Sequence, residues 1–121
     1  MSMDKRTINI VRKWAEIIRA TINDPEGSSN IGSDLMLVGF AETAVAEGLD
    51  PNLAGITLEE IQGWRKELFR AKIRWAEKNN MVGEIVDDLK EGEFNSPEEA
   101  GVTDAKVLAE CHKYFKPGIK T

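Results

Sequence analysis

The sequence is poor in the residue types that most often carry out chemistry. Its 121 residues include one cysteine, Cys111, and one histidine, His112. A structural zinc site takes four Cys or His ligands, and a catalytic nucleophile needs a neighbouring base. Side chains of adjacent residues on a helix point in different directions, so Cys111 and His112 cannot act on each other. We therefore expect no cofactor, no metal and no enzymatic activity, and an inert buried thiol.

One acidic cluster leaves a metal-dependent helical hydrolase open as an alternative. Glu84 has a helical spacing to Asp87 or Asp88 that suits a shared divalent ion. No second set of ligands that would converge on it can be identified from the sequence.

Long hydrophobic runs are absent as well. The longest one, from Leu35 to Ala41, covers seven residues, whereas a membrane-spanning helix needs about 20. The chain does not open with a basic stretch followed by an apolar one, as a secretory signal would. A lone cysteine cannot form an internal disulfide, which agrees with a reducing compartment. We expect a soluble, cytoplasmic protein that does not insert into membranes.

The charge is unevenly distributed around a net value of −5. Residues 4–19 carry five basic and two acidic side chains, a local charge of +3, whereas residues 79–104 carry eight acidic and one basic, a local charge of −7. This polarity favours a solvated acidic surface, with two alternatives. The acidic region 84–104 could attract a basic partner, or the two ends could attract each other within one fold or across a dimer.

Hydrophobic periodicity predicts an all-α fold, a single-domain bundle of about five helices formed by residues 1–121. No stretch shows sustained alternation, so we expect no sheet. The second helix is apolar on nearly every side, which is typical of a central helix or of one in an oligomer interface, and we expect it to be central. Ser33, Thr57 and Thr103 are the predicted N-caps of the second, third and fifth helices. The predicted ranges are 4–22, 33–47, 58–79, 81–91 and 103–115.

The third helix is long and amphipathic, with two cations, Arg65 and Lys72, inside its apolar face. A cation there must find a partner, extend to water or contact a ligand. Glu42, on the second helix, is the predicted internal partner, with Glu47 as a second choice. The predicted partner-binding residues are Trp64, Arg65, Leu68, Lys72, Trp75 and Glu42.

The outer face of the same helix carries a basic residue every four positions, at Lys66, Arg70, Arg74 and Lys78. We call this set the basic ridge. Such a row could contact phosphates, although acidic residues share the face as on an ordinary solvated helix. Nucleic-acid binding is therefore an alternative, in which the N-terminal cluster would add to the ridge. That cluster consists of Lys5, Arg6, Arg12 and Lys13.

The loop at 24–31 places oxygen-bearing side chains at alternate positions, as calcium loops do. Ser29 stands where the loop needs glycine and Leu35 where it needs a bidentate glutamate, so a flexible polar loop is the better interpretation.

Three tryptophans, four phenylalanines and an all-round apolar second helix are more than one core of this size is expected to cover. We predict a non-enzymatic protein–protein interaction module: a subunit, an adaptor or a self-associating protein, with a homodimer favoured. Helices two and three would supply the apolar contacts, while Arg65, Lys72 and the acidic region would supply selectivity. A further alternative is an acidic inhibitor of a basic partner.

Overall fold

A computed structural model describes residues 4–115, and within that part the chain is helical without any strand. The predicted all-α bundle is confirmed, and each helix bound lies within two residues of its predicted position. A 3-10 turn at Pro51–Ala54 lies between the second and third helices. The helices are α1 (Lys5–Ile22), α2 (Gly32–Ala46), α3 (Leu58–Lys78), α4 (Val82–Glu91) and α5 (Ala105–Tyr114).

The helix N-termini agree only partly with their predicted caps. Thr57 caps α3 as expected, since its hydroxyl accepts a hydrogen bond from the backbone N–H of Glu60 at 3.0 Å. Asp104, and not Thr103, caps α5, because its carboxylate accepts from two backbone N–H groups of the first turn. The Ser33 cap is wrong: α2 begins one residue earlier and has no side-chain cap.

Helix α3 lies at the centre of the bundle. It packs against α1, α2 and α4, and seven of its residues are buried, whereas α2 buries only three. The prediction that α2 is central is therefore corrected: α2 lies at one side, and part of its apolar circumference faces outward. Met36 and Phe40 are among its exposed side chains.

The loop between α1 and α2 rests on the C-terminal half of α3. The carbonyl of Ile22, at the end of α1, accepts from Arg74 Nη2 at 2.8 Å. The backbone N–H of Ser28 donates to the carbonyl of Ala71 at 3.0 Å. The loop expected to be flexible is thus held by specific hydrogen bonds to α3.

From there α2 runs back, antiparallel to α1 and to α3. Its Glu42 pairs with Arg65, which lies about two helical turns before Ala71, the residue of α3 that the loop contacts. After α2, the carbonyl of Leu53 accepts from Arg12 Nη2 at 2.9 Å, which returns the chain to the middle of α1. Helices α1 and α2 therefore form a hairpin with one side on α3 and the other side outward.

The segment from α4 to the end of α5 closes the other side of the bundle. Helix α4 packs on α3, and α5 packs on α4. Phe94, Val107 and Cys111 join the common core, and Cys111 is a free, buried thiol.

Candidate interaction surface

The apolar residues predicted to contact a partner belong largely to the core. Trp64 and Leu68 are 2% and 0% exposed. Trp64 Nε1 also donates to Glu60 Oε2 at 3.3 Å, so the indole is satisfied inside the chain. Trp75 is half-buried, and its backbone lies beside the loop between α1 and α2. Helices α1, α2 and α4 cover the face of α3 that we assigned to a partner.

The two cations of that face have different environments. Arg65 Nη2 pairs with Glu42 Oε1 at 2.9 Å, and both side chains are about half exposed. This is the predicted internal partner. An exposed pair of this kind contributes about 0–1 kcal/mol because water screens it.

Lys72 pairs with a residue that we did not predict. Its Nζ lies 3.1 Å from Oδ1 of Asp88 on α4, whose side chain is only 2% exposed. Neither Glu42 nor Glu47 is its partner, because α4 packs on α3 at this level. Burial raises the pKa of Asp88, and the Lys72 ammonium partly offsets that rise. Among the described residues, Asp88 Oδ2 has no hydrogen-bond partner.

The C-terminal half of the basic ridge holds the loop between α1 and α2. Arg74 Nε donates to the carbonyl of Asp24 at 3.2 Å, and Lys78 Nζ donates to the carbonyl of Pro25 at 2.9 Å. Lys78 also pairs with Glu26 at 3.1 Å. These cations contact parts of their own chain.

The N-terminal half of the ridge holds the segment before α5. Lys66 Nζ lies 3.4 Å from Glu99 Oε1, and Arg70 donates to the Glu99 carbonyl at 3.3 Å from two of its nitrogens. Both cations also lie over the ring of Phe94, at 5.2 and 5.3 Å from its centroid. Arg70 pairs with Glu67 as well. The basic ridge as a whole therefore binds the two connecting segments to α3.

Four of the eight acidic residues in region 84–104 make specific contacts within the chain. Asp88 is buried, Glu99 contacts the ridge, and Asp104 caps α5. Glu98 contacts His112 Nε2 at 3.1 Å, and its pKa is lowered by backbone and His112 hydrogen bonds. These carboxylates have separate structural roles, and in residues 4–115 no three His, Cys, Asp or Glu side chains are placed to hold a metal ion.

Part of that region borders an open groove of about 580 Å³ between α4 and α5. Its lining is mainly apolar and includes three carboxylates, those of Glu84, Asp87 and Glu110. Cys111 lies in the core and does not line this groove; burial raises the pKa of its thiol, which favours the protonated form. The groove is lined by Val82, Gly83, Glu84, Val86, Asp87, Glu110 and Tyr114.

The outward side of the α1–α2 hairpin carries the main cluster of exposed apolar side chains in the described part of the chain. Met36 is 61% exposed, Phe40 49%, Ile17 48% and Ile10 43%. Half-buried Trp14 contacts Phe40 with ring centroids 5.7 Å apart and planes tilted by 44°. This contact joins the exposed stripe of α1 to that of α2. We call these five residues the α1–α2 face.

The geometry of the two helices explains this exposure. Ile10, Trp14 and Ile17 lie at i, i+4 and i+7, beside the buried stripe of Val11, Ala15 and Ile18. Helix α2 is apolar on all sides, so covering one side leaves Met36 and Phe40 outward. The sequence does not show which part of the apolar half of α1 is buried, so this surface was not predicted. The one sign of it in the sequence is that the apolar arc of α1 is wider than a single packing stripe needs.

No family model matches the chain, and no curated protein or solved structure is significantly similar to it. Within residues 4–115, every helix is too short or too polar to cross a lipid bilayer.

Proposed function

We propose that this chain is a non-enzymatic protein–protein interaction module that binds its partner through the α1–α2 face. The observation that carries the proposal is the cluster of half-exposed large side chains around the Trp14–Phe40 contact. At roughly 200 Å² for a fully exposed large side chain, the four most exposed members present about 400 Å² of apolar surface. Apolar patches of this size on a monomer commonly serve binding.

The composition of the α1–α2 face suits recognition as well as burial. Aromatic side chains at the centre of an interface supply much of its affinity, because they bury a large area with few rotatable bonds. Trp14 and Phe40 already hold each other in place, so little conformational freedom remains to be lost on binding. Ile10, Ile17 and Met36 surround them and would exclude water from the centre.

The nucleic-acid alternative has less support from the same contacts. Each cation of the basic ridge would have to exchange a carboxylate or a backbone carbonyl of its own chain for a phosphate. Such an exchange would loosen the two segments that the ridge holds. The acidic-inhibitor alternative has less support because half of the acidic residues in region 84–104, namely Asp88, Glu98, Glu99 and Asp104, make contacts within their own chain.

We place this activity in a reducing compartment, most simply the cytoplasm. The support is the free thiol of Cys111, which is buried among core residues and forms no disulfide.

Site-specific photo-crosslinking in the cells that naturally produce the protein tests the proposal. A photoreactive phenylalanine analogue replaces Phe40 in one variant and the exposed Lys106 of α5 in the control. We expect discrete covalent protein adducts from position 40 and none of the same mass from position 106. Absence of adducts from position 40, or the same adducts from both positions, would contradict binding through the α1–α2 face.

A further inference from the structure

We infer that the partner of the α1–α2 face is a second copy of this chain, related by a two-fold axis so that α1 of each copy packs on α2 of the other. This inference rests on the proposed function and specifies its partner. Its evidence is the order of charged and apolar residues along the two helices.

Helix α1 presents an outward stripe with a charge at its N-terminal end. Arg6, Ile10 and Ile17 lie at i, i+4 and i+11, with Trp14 between the two isoleucines. These spacings place all four on one side of a helix. The stripe thus reads cation, apolar, aromatic, apolar along the chain.

Helix α2 presents the complementary order in the opposite sense. Met36, Phe40, Thr43 and Glu47 lie at i, i+4, i+7 and i+11, so they too share one side. The stripe begins with its most exposed apolar residue and ends with an anion at the C-cap. Within one copy the two stripes already lie side by side in this sense, with Trp14 against Phe40. A second copy that packs antiparallel on the same face keeps this match across the interface, because charged ends again meet charged ends and apolar ends meet apolar ends.

Two-fold symmetry produces this antiparallel packing directly. Within one copy α1 and α2 are antiparallel neighbours, so a half-turn about an axis that lies above their outward face and parallel to them lays α1 of one copy over α2 of the other. Arg6 then meets Glu47 of the second copy, Ile17 meets Met36, and the Trp14–Phe40 pairs come together at the centre. Each contact occurs twice.

The charges of the two helices favour this arrangement over random association. Several charges of the two helices are engaged within the chain: Arg12 contacts the Leu53 carbonyl, Arg19 pairs with Glu60, and Glu42 pairs with Arg65. Arg6 and Glu47 form no ion pair with any residue in the range 4–115. Pairing across the two copies gives both a partner at the rim of the interface.

The available area is that of a modest but specific dimer. A standard interface buries about 800 Å² per partner, of which roughly 60% is apolar. The α1–α2 face contributes about 400 Å² from four side chains, and Trp14 adds to it. Nearly all the apolar surface that such a dimer requires is therefore already grouped in one place.

Charge reversal tests the register of this dimer. Arg6→Glu and Glu47→Arg are suited to the purpose because each places a charge that favours its own helix end, an anion near the α1 N-terminus and a cation near the α2 C-terminus. Neither substitution therefore opposes the dipole of its helix, and the mixture separates contacts between copies from those within one copy. Each variant alone would face two like-charge contacts per dimer, whereas a mixture of the two restores both attractive contacts.

The measurement is native mass spectrometry of the full chain, with one variant isotopically labelled. We expect wild type to dimerise, each single variant to dimerise about tenfold more weakly, and the mixture to form mainly the heterodimer. The double variant, Arg6→Glu with Glu47→Arg, should recover the wild-type dimer. Equal strength for the single variants, their mixture and wild type would overturn the register and with it the inference.

A second pair of variants keeps the test independent of charge. Phe40→Asp should abolish the dimer, and Leu53→Asp, at an equally exposed leucine outside the α1–α2 face, should preserve it. A wild-type chain that stays monomeric at hundreds of micromolar would overturn the inference of a second copy. Photo-crosslinks from position 40 to a different protein would in that case still support the proposed function, so the two failures are distinguishable.

Discussion

Gly27 lies where the loop between α1 and α2 touches the backbone of α3, and replacing it by alanine tests how that loop is held. Its φ is +77°, a region that L-amino acids rarely adopt. A Cβ atom on this residue would lie 2.4 Å from the carbonyl oxygen of Ala71 and 2.5 Å from the backbone nitrogen of Trp75. Both atoms belong to a central helix and cannot move away as a flexible side chain would.

Gly55 provides a matched control. Its φ is +76°, yet a Cβ atom there would meet nothing within 4 Å. The two glycines therefore share the conformational cost of a left-handed alanine, about 1 kcal/mol. At Gly27 the loop must also lift from α3 and stretch the hydrogen bond from Ser28 to Ala71, which adds about 2 kcal/mol on the scale of an overpacked contact.

We expect Gly27→Ala to lower the free energy of unfolding by about 3 kcal/mol and Gly55→Ala by about 1 kcal/mol. Urea titrations followed by circular dichroism measure the free energy of unfolding of both variants. An unchanged slope of that free energy against urea concentration shows that the same unfolding transition is compared. Equal losses for the two variants would refute the reasoning, because only the contact with α3 separates them.

The remaining predictions concern the ion pairs and the cap of α3. Lys72→Met leaves the buried carboxylate of Asp88 without its cation, so we expect a loss of about 3 kcal/mol at neutral pH. Burial raises the pKa of Asp88, so the charged carboxylate destabilises the fold above that pKa. The stability lost in Lys72→Met should therefore shrink as the pH falls through the pKa of Asp88 and the carboxylate becomes protonated. Equal losses of stability in urea titrations at neutral and acidic pH would contradict this expectation. The hydrogen bonds from Arg19 lower the pKa of Glu60, so that pair stabilises the fold above the unfolded pKa and the contribution is lost as the pH falls through the folded one. Glu60→Gln should therefore cost about 1 kcal/mol at neutral pH, after allowance for partial exposure, and less at low pH; a Glu59→Gln control should change little. Thr57→Ala should lower stability by about 1 kcal/mol in a thermal melt, and Thr57→Ser should retain most of it.

The helix bounds and one of the three predicted N-caps were predictable because their signals are local, although the predicted caps Ser33 and Thr103 were wrong. The helix bounds follow from apolar periodicity and turn residues, and the Thr57 cap follows from a contact only three residues away. The 3.6-residue period and the capping hydrogen bonds act within one or two turns of chain. Such features do not depend on how the helices pack.

The identity of the exposed apolar face was not predictable in the same way. Periodicity shows that α1 has an apolar half, but only packing selects Val11, Ala15 and Ile18 for the core and leaves Ile10 and Ile17 outside. Because α2 is apolar on all sides, its sequence does not indicate which side faces the core. The partner-binding surface predicted on α3 therefore includes residues, such as Trp64 and Leu68, that the other helices cover.

Long-range polar contacts were equally hidden. Arg74 and Lys78 contact carbonyls 50 and 53 residues earlier in the chain, and backbone carbonyls leave no mark in a sequence. Asp88 pairs with Lys72 across α3 and α4. Its position between Ile85 and Leu89 on the inner side of α4 was the one available sign that it is buried.

Hydroxyl-radical footprinting over a concentration series of the purified chain tests the central claim most directly, because it reports each exposed side chain separately. Met36 and Phe40 should become protected together as the concentration rises, while Leu53 and Leu58, which are equally exposed outside the α1–α2 face, should keep their reactivity. Unchanged reactivity of Met36 and Phe40 at every concentration, or protection of Leu53 and Leu58 in their place, would contradict association through this face.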